Sequence, residues 1–173
     1  MSKSLYNRPV MSLRSGGQIA TAAEPIINPH NLKILGWWCG GPGKSSLVLL
    51  TEDVREVMPQ GFAINDEAEL SRPEDLTRHR EILNIRFKLI DKSVKSKRHK
   101  LGKVNDFSYN DGMFVQKLYV SPSLRKIFSS EDTLIIDRSQ ILEVTDNYIL
   151  VKDTEIKAGA EEMAPAAAVV PSG

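Results

Sequence analysis

The sequence predicts a mainly β fold, in which two small antiparallel β-barrels stand in tandem, joined by a short α-helix and flanked by disordered termini. Three observations lead to this prediction. Alternating apolar and polar residues recur on both sides of a turn at residues 110–112, a stretch of the C-terminal half is repeated in the N-terminal half, and helix-start signals lie between the two. The 173 residues are enough for two small domains.

The clearest β unit covers residues 86–156. Two alternating runs, at 104–109 and 114–120, flank Asn110, Asp111 and Gly112. These three residue types tolerate the φ > 0 conformations of a tight turn, so the pair of runs predicts a β-hairpin. Further apolar runs predict strands at 133–136, 141–144 and 148–151.

The order of these segments carries a family resemblance. Leu-Ile-x-Lys-x-Val, a basic turn, Leu-Gly-Lys-Val-x-Asp, a hairpin and a closing Ile-x-x-Val-x-x-x-Tyr-Ile-x-Val resemble the PRC-barrel domain, a family that includes the C-terminal domain of the ribosome maturation factor RimM. The resemblance implies a fold and no chemistry, because one fold hosts many functions. It is carried by Leu89, Ile90, Lys92, Val94, Leu101, Gly102, Lys103, Val104, Asp106, Ile141, Val144, Ile149 and Val151.

Residues 53–66 repeat residues 140–153 without a gap. Val54 matches Ile141 and Ile64 matches Val151, and upstream Leu35–Gly36 echoes Leu101–Gly102. An internal repeat indicates a second copy of the same unit. We therefore expect a first, diverged PRC-type barrel over residues 17–66, with Gly36 as a structural glycine.

The remaining segments are predicted to connect or flank the barrels. Residues 1–16 are predicted to form a flexible arm. Ser71, with Glu74 three positions on and Pro73 between them, predicts a capping box that starts a helical linker over residues 67–85. Residues 124–128 carry apolar side chains at helical spacing and predict a helical turn. Residues 157–173 are rich in Ala, Glu and Pro, and we expect a disordered tail there.

The composition favours a globular protein of the cytoplasm. The net charge is +1, the single cysteine, Cys39, suits a reducing compartment, and no apolar run approaches the ~20 residues that span a bilayer. Charge is nevertheless segregated. Residues 86–103 hold eight Lys or Arg against one acid, whereas residues 51–82 hold nine acids against four arginines. Such asymmetry can mark a partner surface, although most charge runs are solvated faces.

No catalytic, cofactor or metal site is predicted. Residues 40–46 contain Gly-Lys-Ser, as a phosphate-binding P-loop does, but Trp38 stands where the first glycine is required and a strand follows instead of a helix. We expect a hairpin turn there and no nucleotide binding. The three histidines, His30, His79 and His99, lie in different segments without metal-ligand spacing. The chain is therefore not expected to be an enzyme.

Two features are candidate partner contacts. Trp37 and Trp38 are adjacent, so in a strand they point to opposite faces: one fills the barrel, and the other lies between barrels or contacts a partner. The basic turn is the second candidate, although the nearby Phe107 and Tyr109 alternate along a strand and at least one of them is expected in the core. Its residues are Lys95, Lys97, Arg98, Lys100 and Lys103.

The leading functional hypothesis is a non-enzymatic binding or adaptor protein that acts through protein–protein contacts. The alternative, implied by the resemblance to RimM, is a factor of ribosome assembly or RNA metabolism that contacts a ribosomal protein or rRNA through the basic turn. Membrane insertion is not expected. Edge strands of the barrels could also pair between two chains, which leaves a homodimer open.

Overall fold

The computed structural model describes residues 1–41, 43–122 and 133–153, without the side chains of residues 41–45. The fold is mainly β, as predicted, with its strands in two curled half-barrel sheets. The helical turn predicted at 124–128 and the tail predicted at 157–173 lie outside the described residues.

The first sheet has the strand order β5-β6-β1-β2-β3-β4-β7 and the second has the order β11-β10-β9-β8-β13-β12. The first contains β1 Arg8–Ser12, β2 Gln18–Ile27, β3 Ile34–Gly41, β4 Gly43–Leu50, β5 Glu56–Met58, β6 Gly61–Ile64 and β7 Leu70–Ser71. The second contains β8 Ser93–Lys95, β9 Lys100–Tyr109, β10 Val115–Pro122, β11 Leu134–Asp137, β12 Ile141–Val144 and β13 Tyr148–Val151. The described residues contain one α-helix, α1 Arg80–Ile85, and short 3₁₀ turns at Ser2–Leu5, Thr51–Asp53, Glu67–Glu69, Pro73–Asp75, Thr77–His79 and Arg138–Gln140.

The two sheets use the same pairing scheme. β1 lies between β2, to which it is antiparallel, and β6, to which it is parallel; β8 lies in the same way between β9 and β13. The prediction of wholly antiparallel barrels is therefore wrong, because each sheet contains one parallel pair. Local alternation and turn residues reveal hairpins, but a parallel pair joins strands far apart in the sequence and leaves no local signal.

The pairing scheme defines equivalent positions in the two sheets. Val10 pairs with Ala20 and Phe62, and Val94 pairs with Gly102 and Ile149, so Ala20 is the equivalent of Gly102. The predicted correspondence between Leu35–Gly36 and Leu101–Gly102 is thus wrong. Gly102 lies on β9, whose equivalent in the first sheet is β2, whereas Gly36 lies on β3. Both glycines allow close backbone approach, since a Cβ would overlap the Leu49 carbonyl oxygen at Gly36 and the Ser121 carbonyl oxygen at Gly102.

The prediction that residues 1–16 form a flexible arm is also wrong. β1 is an interior strand of the first sheet, with Val10 fully buried, and Leu5 in the preceding 3₁₀ turn is 1% exposed. The first sheet therefore begins well before residue 17. Pro9 and the polar residues around it interrupt the apolar–polar alternation, so the sequence pattern did not predict this strand. The burial of Leu5 and Val10 stabilises it.

The hairpin predicted around residues 110–112 is confirmed, since β9 and β10 are antiparallel neighbours joined there. Its left-handed residue, however, is Met113, with φ 60°, and not Gly112. The side-chain Oδ1 of Asn110 accepts the Phe114 N–H at 2.9 Å, and this bond closes the turn. The turn predicted at residues 40–46 also forms: Gly41 pairs with Gly43 between β3 and β4, and the strand β4 occupies the place of a P-loop helix.

The linker is less helical than predicted. α1 covers only six residues, and Ser71 lies in β7, so it caps nothing; Arg72 precedes the 3₁₀ turn that begins at Pro73, without a side-chain cap. β7 instead pairs with β4, and Leu83 of α1 packs on the outer face of the first sheet. The linker thus braces one sheet and does not form a helical bridge. Its contacts there are with Ile26, Val48 and Leu50.

One continuous apolar core joins the two sheets. Where they meet, Lys33 and Phe114 form an isolated antiparallel bridge. The Ile34 N–H donates to the Met113 carbonyl at 2.7 Å and the Val115 N–H donates to the Leu32 carbonyl at 3.0 Å. Backbone hydrogen bonds and shared apolar burial therefore hold the sheets against each other.

Cys39 lies in this core, and its burial raises the pKa of its thiol from 9.0 to about 12, against a smaller opposing effect of a backbone hydrogen bond from Leu49. Because the thiolate is the reactive form, we expect iodoacetamide at pH 8.5 to alkylate native Cys39 at least ~100-fold more slowly than the urea-unfolded chain. Mass spectrometry over time measures both rates. Similar rates of alkylation in the native and the unfolded state would place Cys39 at the surface.

The raised pKa of Cys39 also links its thiol to stability. The contribution of the neutral thiol to the stability of the fold is fully present below pH 9 and is lost as the pH rises towards 12.

Candidate functional site

The two tryptophans of β3 point to opposite faces of the first sheet, as predicted. Trp37 is fully buried, and its ring centroid lies 4.2 Å from that of Phe62. The prediction that Trp37 contacts a partner is therefore wrong, because no part of its ring reaches solvent. Trp38 is the outward residue and is half-buried.

Trp38 is covered in part by the linker. The Arg86 guanidinium carbon lies over the Trp38 ring, 4.0 Å from its centroid, which is a cation–π contact. Arg86 ends α1 with a left-handed backbone, φ 52°, a position where glycine is usual. Leu83 packs beside Trp38 in the apolar cluster of the outer face. Trp38 therefore rests on one side against the linker, and not between the two barrels as one of the predicted alternatives had it.

Beside Trp38 opens a pocket of about 410 Å³. Its lining combines an aromatic wall, two guanidinium groups, one carboxylate and one amide, supplied by Trp38, Pro73, Glu74, Arg80, Leu83, Asn84 and Arg86. Among the residues that the structure describes, neither the Arg80 nor the Arg86 side chain makes a hydrogen bond or an ion pair. The pocket thus presents two cations without counter-charge contact next to an apolar surface.

The structure divides the predicted basic turn into two groups. Lys95 Nζ lies 3.5 Å from the centroid of the Tyr148 ring, and Arg98 Nε lies 3.9 Å from Asp153 Oδ2. The other three residues, Lys97, Lys100 and Lys103, are exposed at the turn between β8 and β9 and along β9. Phe107 is buried, as expected for one of the two nearby aromatics.

The contact of Arg98 with Asp153 has a structural role, because an equivalent contact is present in the first sheet. Arg14 Nη1 lies 3.6 Å from Asp66 Oδ2, at the equivalent place after β1 and β6. The turns behind these arginines match as well: the Ser12 hydroxyl accepts the Ser15 N–H at 3.2 Å, and the Ser96 hydroxyl accepts the His99 N–H at 3.1 Å. A contact present at both equivalent places needs no partner to explain it.

A larger cleft of about 510 Å³ lies where the N-terminal 3₁₀ turn meets residues 87–91. Two of its four charged side chains pair with each other. Lys88 Nζ lies 3.4 Å from Glu24 Oε2. Burial, assisted by the charges of Glu24 and Asp106, raises the pKa of Tyr6 to about 12, so this phenol stays protonated at neutral pH. The cleft therefore offers no activated nucleophile or base among these groups.

Several residues that carry the resemblance to the PRC-barrel domain are buried in the second sheet or bind the N-terminal turn to it. Leu101, Gly102 and Val104 are buried along β9. Burial alone would raise the pKa of the Asp106 carboxyl, but hydrogen bonds from Ser2 and the Phe107 N–H outweigh it and hold that pKa below its usual value. The Ser2 N–H donates to Asp106 Oδ1 at 2.9 Å, which ties the N-terminal turn to the second sheet.

Sequence reasoning identified Trp38 but missed Arg80, Asn84 and Arg86. It assigned residues 67–85 to a helical linker without a contact role, and it placed Arg86 at the start of the second barrel. The left-handed cap that turns Arg86 back over Trp38 has no sequence signal, since glycine would be the usual residue there. The stacking of Arg86 on Trp38 depends on the packing of α1 against the sheet.

Within the described ranges, no group of three His, Cys, Asp or Glu side chains is arranged to hold a metal ion. None of the helices described is long and apolar enough to cross a membrane. The chain matches no protein-family model, and no curated protein matches it.

Proposed function

We propose that the chain is a tandem of two PRC-type barrels and acts as a non-enzymatic protein-binding module. The observation that carries this function is the outer face at Trp38, where a half-buried tryptophan lies beside two arginines that have no ion pair within the described residues. Tryptophan and arginine are the residues most enriched among interface hot spots, because each combines apolar contact area with a polar group.

The tandem proposal is supported by the common pairing scheme and by matched contacts in the two sheets. Arg8 Nη2 donates to the Pro59 carbonyl at 2.6 Å, and Lys92 Nζ donates to the Asp146 carbonyl at 2.5 Å, each across the turn that precedes the parallel strand. The PRC-type identity rests on the resemblance of residues 89–106 and 141–151, whose apolar positions lie in the second sheet and its core.

Affinity capture from a lysate of the protein's native cells tests the proposed function, with each sample divided into nuclease-treated and untreated halves. We expect a partner, identified by mass spectrometry, to be captured from both halves and to be reduced at least ~10-fold by Trp38→Ala, as truncation of a hot spot does. The matched control is Tyr119→Ala. Tyr119 on β10 pairs with Ile135 on β11, just as Trp38 on β3 pairs with Val48 on β4. Equal capture by the wild type and Trp38→Ala would contradict the proposal.

The alternative function, an RNA or ribosome-assembly factor, is favoured by the exposure of Lys97, Lys100 and Lys103 at the β8–β9 turn and along the start of β9. Under this alternative, ribosomal proteins and rRNA are captured only without nuclease. Replacing the three lysines with glutamate then abolishes the capture, and binding falls steeply with salt because phosphate contacts release counterions. That result would replace the protein-binding proposal.

A further inference from the structure

We propose that the pocket beside Trp38 binds one carboxylate side chain of a partner segment, with a neighbouring apolar side chain of that segment packed on the tryptophan. The inference rests on the proposed protein-binding function and names the partner's chemistry. It is carried by the two guanidinium groups, the aromatic wall and the surrounding charges.

The contact of Arg86 with Trp38 holds its guanidinium beside the pocket. The Arg86 side chain makes no hydrogen bond or ion pair within the described residues, so its N–H donors are available for a bidentate hydrogen bond to a carboxylate. The contact with the ring also restricts the side chain before binding, which reduces the ordering that a flexible arginine must undergo. Arg86 is thus oriented by the sheet while its donors have no partner among the described residues.

Arg80 supplies a second cation to the same pocket, from the first residue of α1. Against the two arginines stands one carboxylate, Glu74, so the lining keeps an excess of one positive charge by residue type. Leu83 and Pro73 complete an apolar wall next to Trp38. A single carboxylate adjoining an apolar side chain matches both halves of this lining.

The charges around the pocket disfavour a nucleic acid as the occupant. Asp75 follows Glu74, Glu81 follows Arg80, and both acids are exposed. A polyanionic strand that passed over the pocket would place successive phosphates near these carboxylates, and like charges repel. One carboxylate flanked by neutral residues brings a single negative charge near these acids and is repelled less than a strand of phosphates, so an acidic–apolar protein segment is the favoured partner.

The pocket is not a repeated feature of the two sheets. At the equivalent place on the described part of the second sheet, Tyr119 faces Ile135, and Ile135 is 51% exposed. The arginines belong to the linker, which packs on the first sheet. The contact of Arg98 with Asp153 has an equivalent in the first sheet. The contact of Arg86 with Trp38 has none in the described part of the second sheet.

Nuclear magnetic resonance of the full chain tests the inference, because the protein has two tryptophans and gives two indole N–H signals. The probe is the capped tripeptide Leu-Glu-Leu, with Leu-Gln-Leu as its neutral match. We expect Leu-Glu-Leu to shift the Trp38 signal with a Kd of about 1 mM or below, and Leu-Gln-Leu to bind at least ~10-fold more weakly. Trp38→Phe assigns the signal.

Variants distinguish specific binding of Leu-Glu-Leu in the pocket from nonspecific electrostatic attraction. Arg86→Gln and Arg80→Gln are expected to weaken Leu-Glu-Leu at least ~10-fold, and Arg86→Lys to weaken it also, since lysine lacks the planar bidentate edge. Arg78→Gln is the matched control, because Arg78 is an exposed arginine of the preceding turn that does not line the pocket; it is expected to leave the Kd unchanged. The unshifted remainder of each spectrum confirms folding.

Three results would overturn the inference: no shift of the Trp38 signal, equal responses to the two peptides, or an equal response to inorganic phosphate, which would indicate a general anion site. Failure of the underlying function is distinguishable. If lysate capture is negative while Leu-Glu-Leu binds selectively, the pocket stands and the proposed function fails; if capture depends on Trp38 while the peptide gives no shift, only the carboxylate chemistry is wrong.

Discussion

Trp37→Ala is expected to lower the free energy of unfolding by about 4 kcal/mol, in the range for large aromatic side chains removed from a core. Trp37 is fully buried against Phe62, so the substitution leaves a cavity that the rigid strands around it cannot close. Urea unfolding followed by far-UV circular dichroism measures the loss without relying on tryptophan fluorescence.

Two further variants make this prediction specific. Trp37→Phe should cost only about 1–2 kcal/mol, because it keeps ring contact and removes the indole N–H, which has no hydrogen-bond partner among the described residues. Trp38→Ala is the neighbouring control, expected to cost about 1 kcal/mol because Trp38 is only half-buried. A larger loss for Trp38→Ala than for Trp37→Ala would reverse the faces of β3.

Gly102→Ala is expected to cost about 3 kcal/mol, at the upper end of the usual range for overpacking. A Cβ at this position would overlap the Ser121 carbonyl oxygen and lie 2.8 Å from the Ser121 carbonyl carbon, and backbone atoms of a paired strand cannot move aside as a side-chain tip can. β9 or β10 must therefore shift, which weakens the ladder between them. The urea midpoint, compared at constant slope, measures the change.

Gly17→Ala is the control for glycine replacement itself, because a Cβ there would meet nothing within 4 Å. Its effect on the free energy of unfolding should stay within about 0.5 kcal/mol. If Gly102→Ala were equally mild, the close approach of β9 and β10 at Ser121 would be wrong.

The sequence held one signal that sequence reasoning overlooked. Residues 5–12 read Leu-Tyr-Asn-Arg-Pro-Val-Met-Ser, and residues 89–96 read Leu-Ile-Asp-Lys-Ser-Val-Lys-Ser. Both stretches share a buried leucine, then a left-handed Asn7 or Asp91, then a basic residue, a buried valine and a buried serine. Comparison of these eight residues would have placed the first strand in residues 1–16.

The short elements were predictable because their causes are local. Residues 141–144 and 148–151 were predicted as strands at the bounds the structure has, and in 148–151 half-buried and buried residues alternate as in a strand with one face on the core. Residues 51–64 and 138–151 each form a 3₁₀ turn followed by an antiparallel strand pair, and they overlap the repeat predicted between residues 53–66 and 140–153. The hairpin after Tyr109 was found from its turn residues, although the left-handed conformation fell on Met113.

The sequence by itself determined the β content, the hairpins and the presence of one inward and one outward tryptophan. Only the tertiary structure decided which of Trp37 and Trp38 is buried, because either face of β3 could have met the core until Phe62 and α1 took their places. It also decided the parallel pairing of β1 with β6 and the stacking of Arg86 on Trp38. Both join residues distant in the chain, and such contacts form only when the long-range packing brings them together.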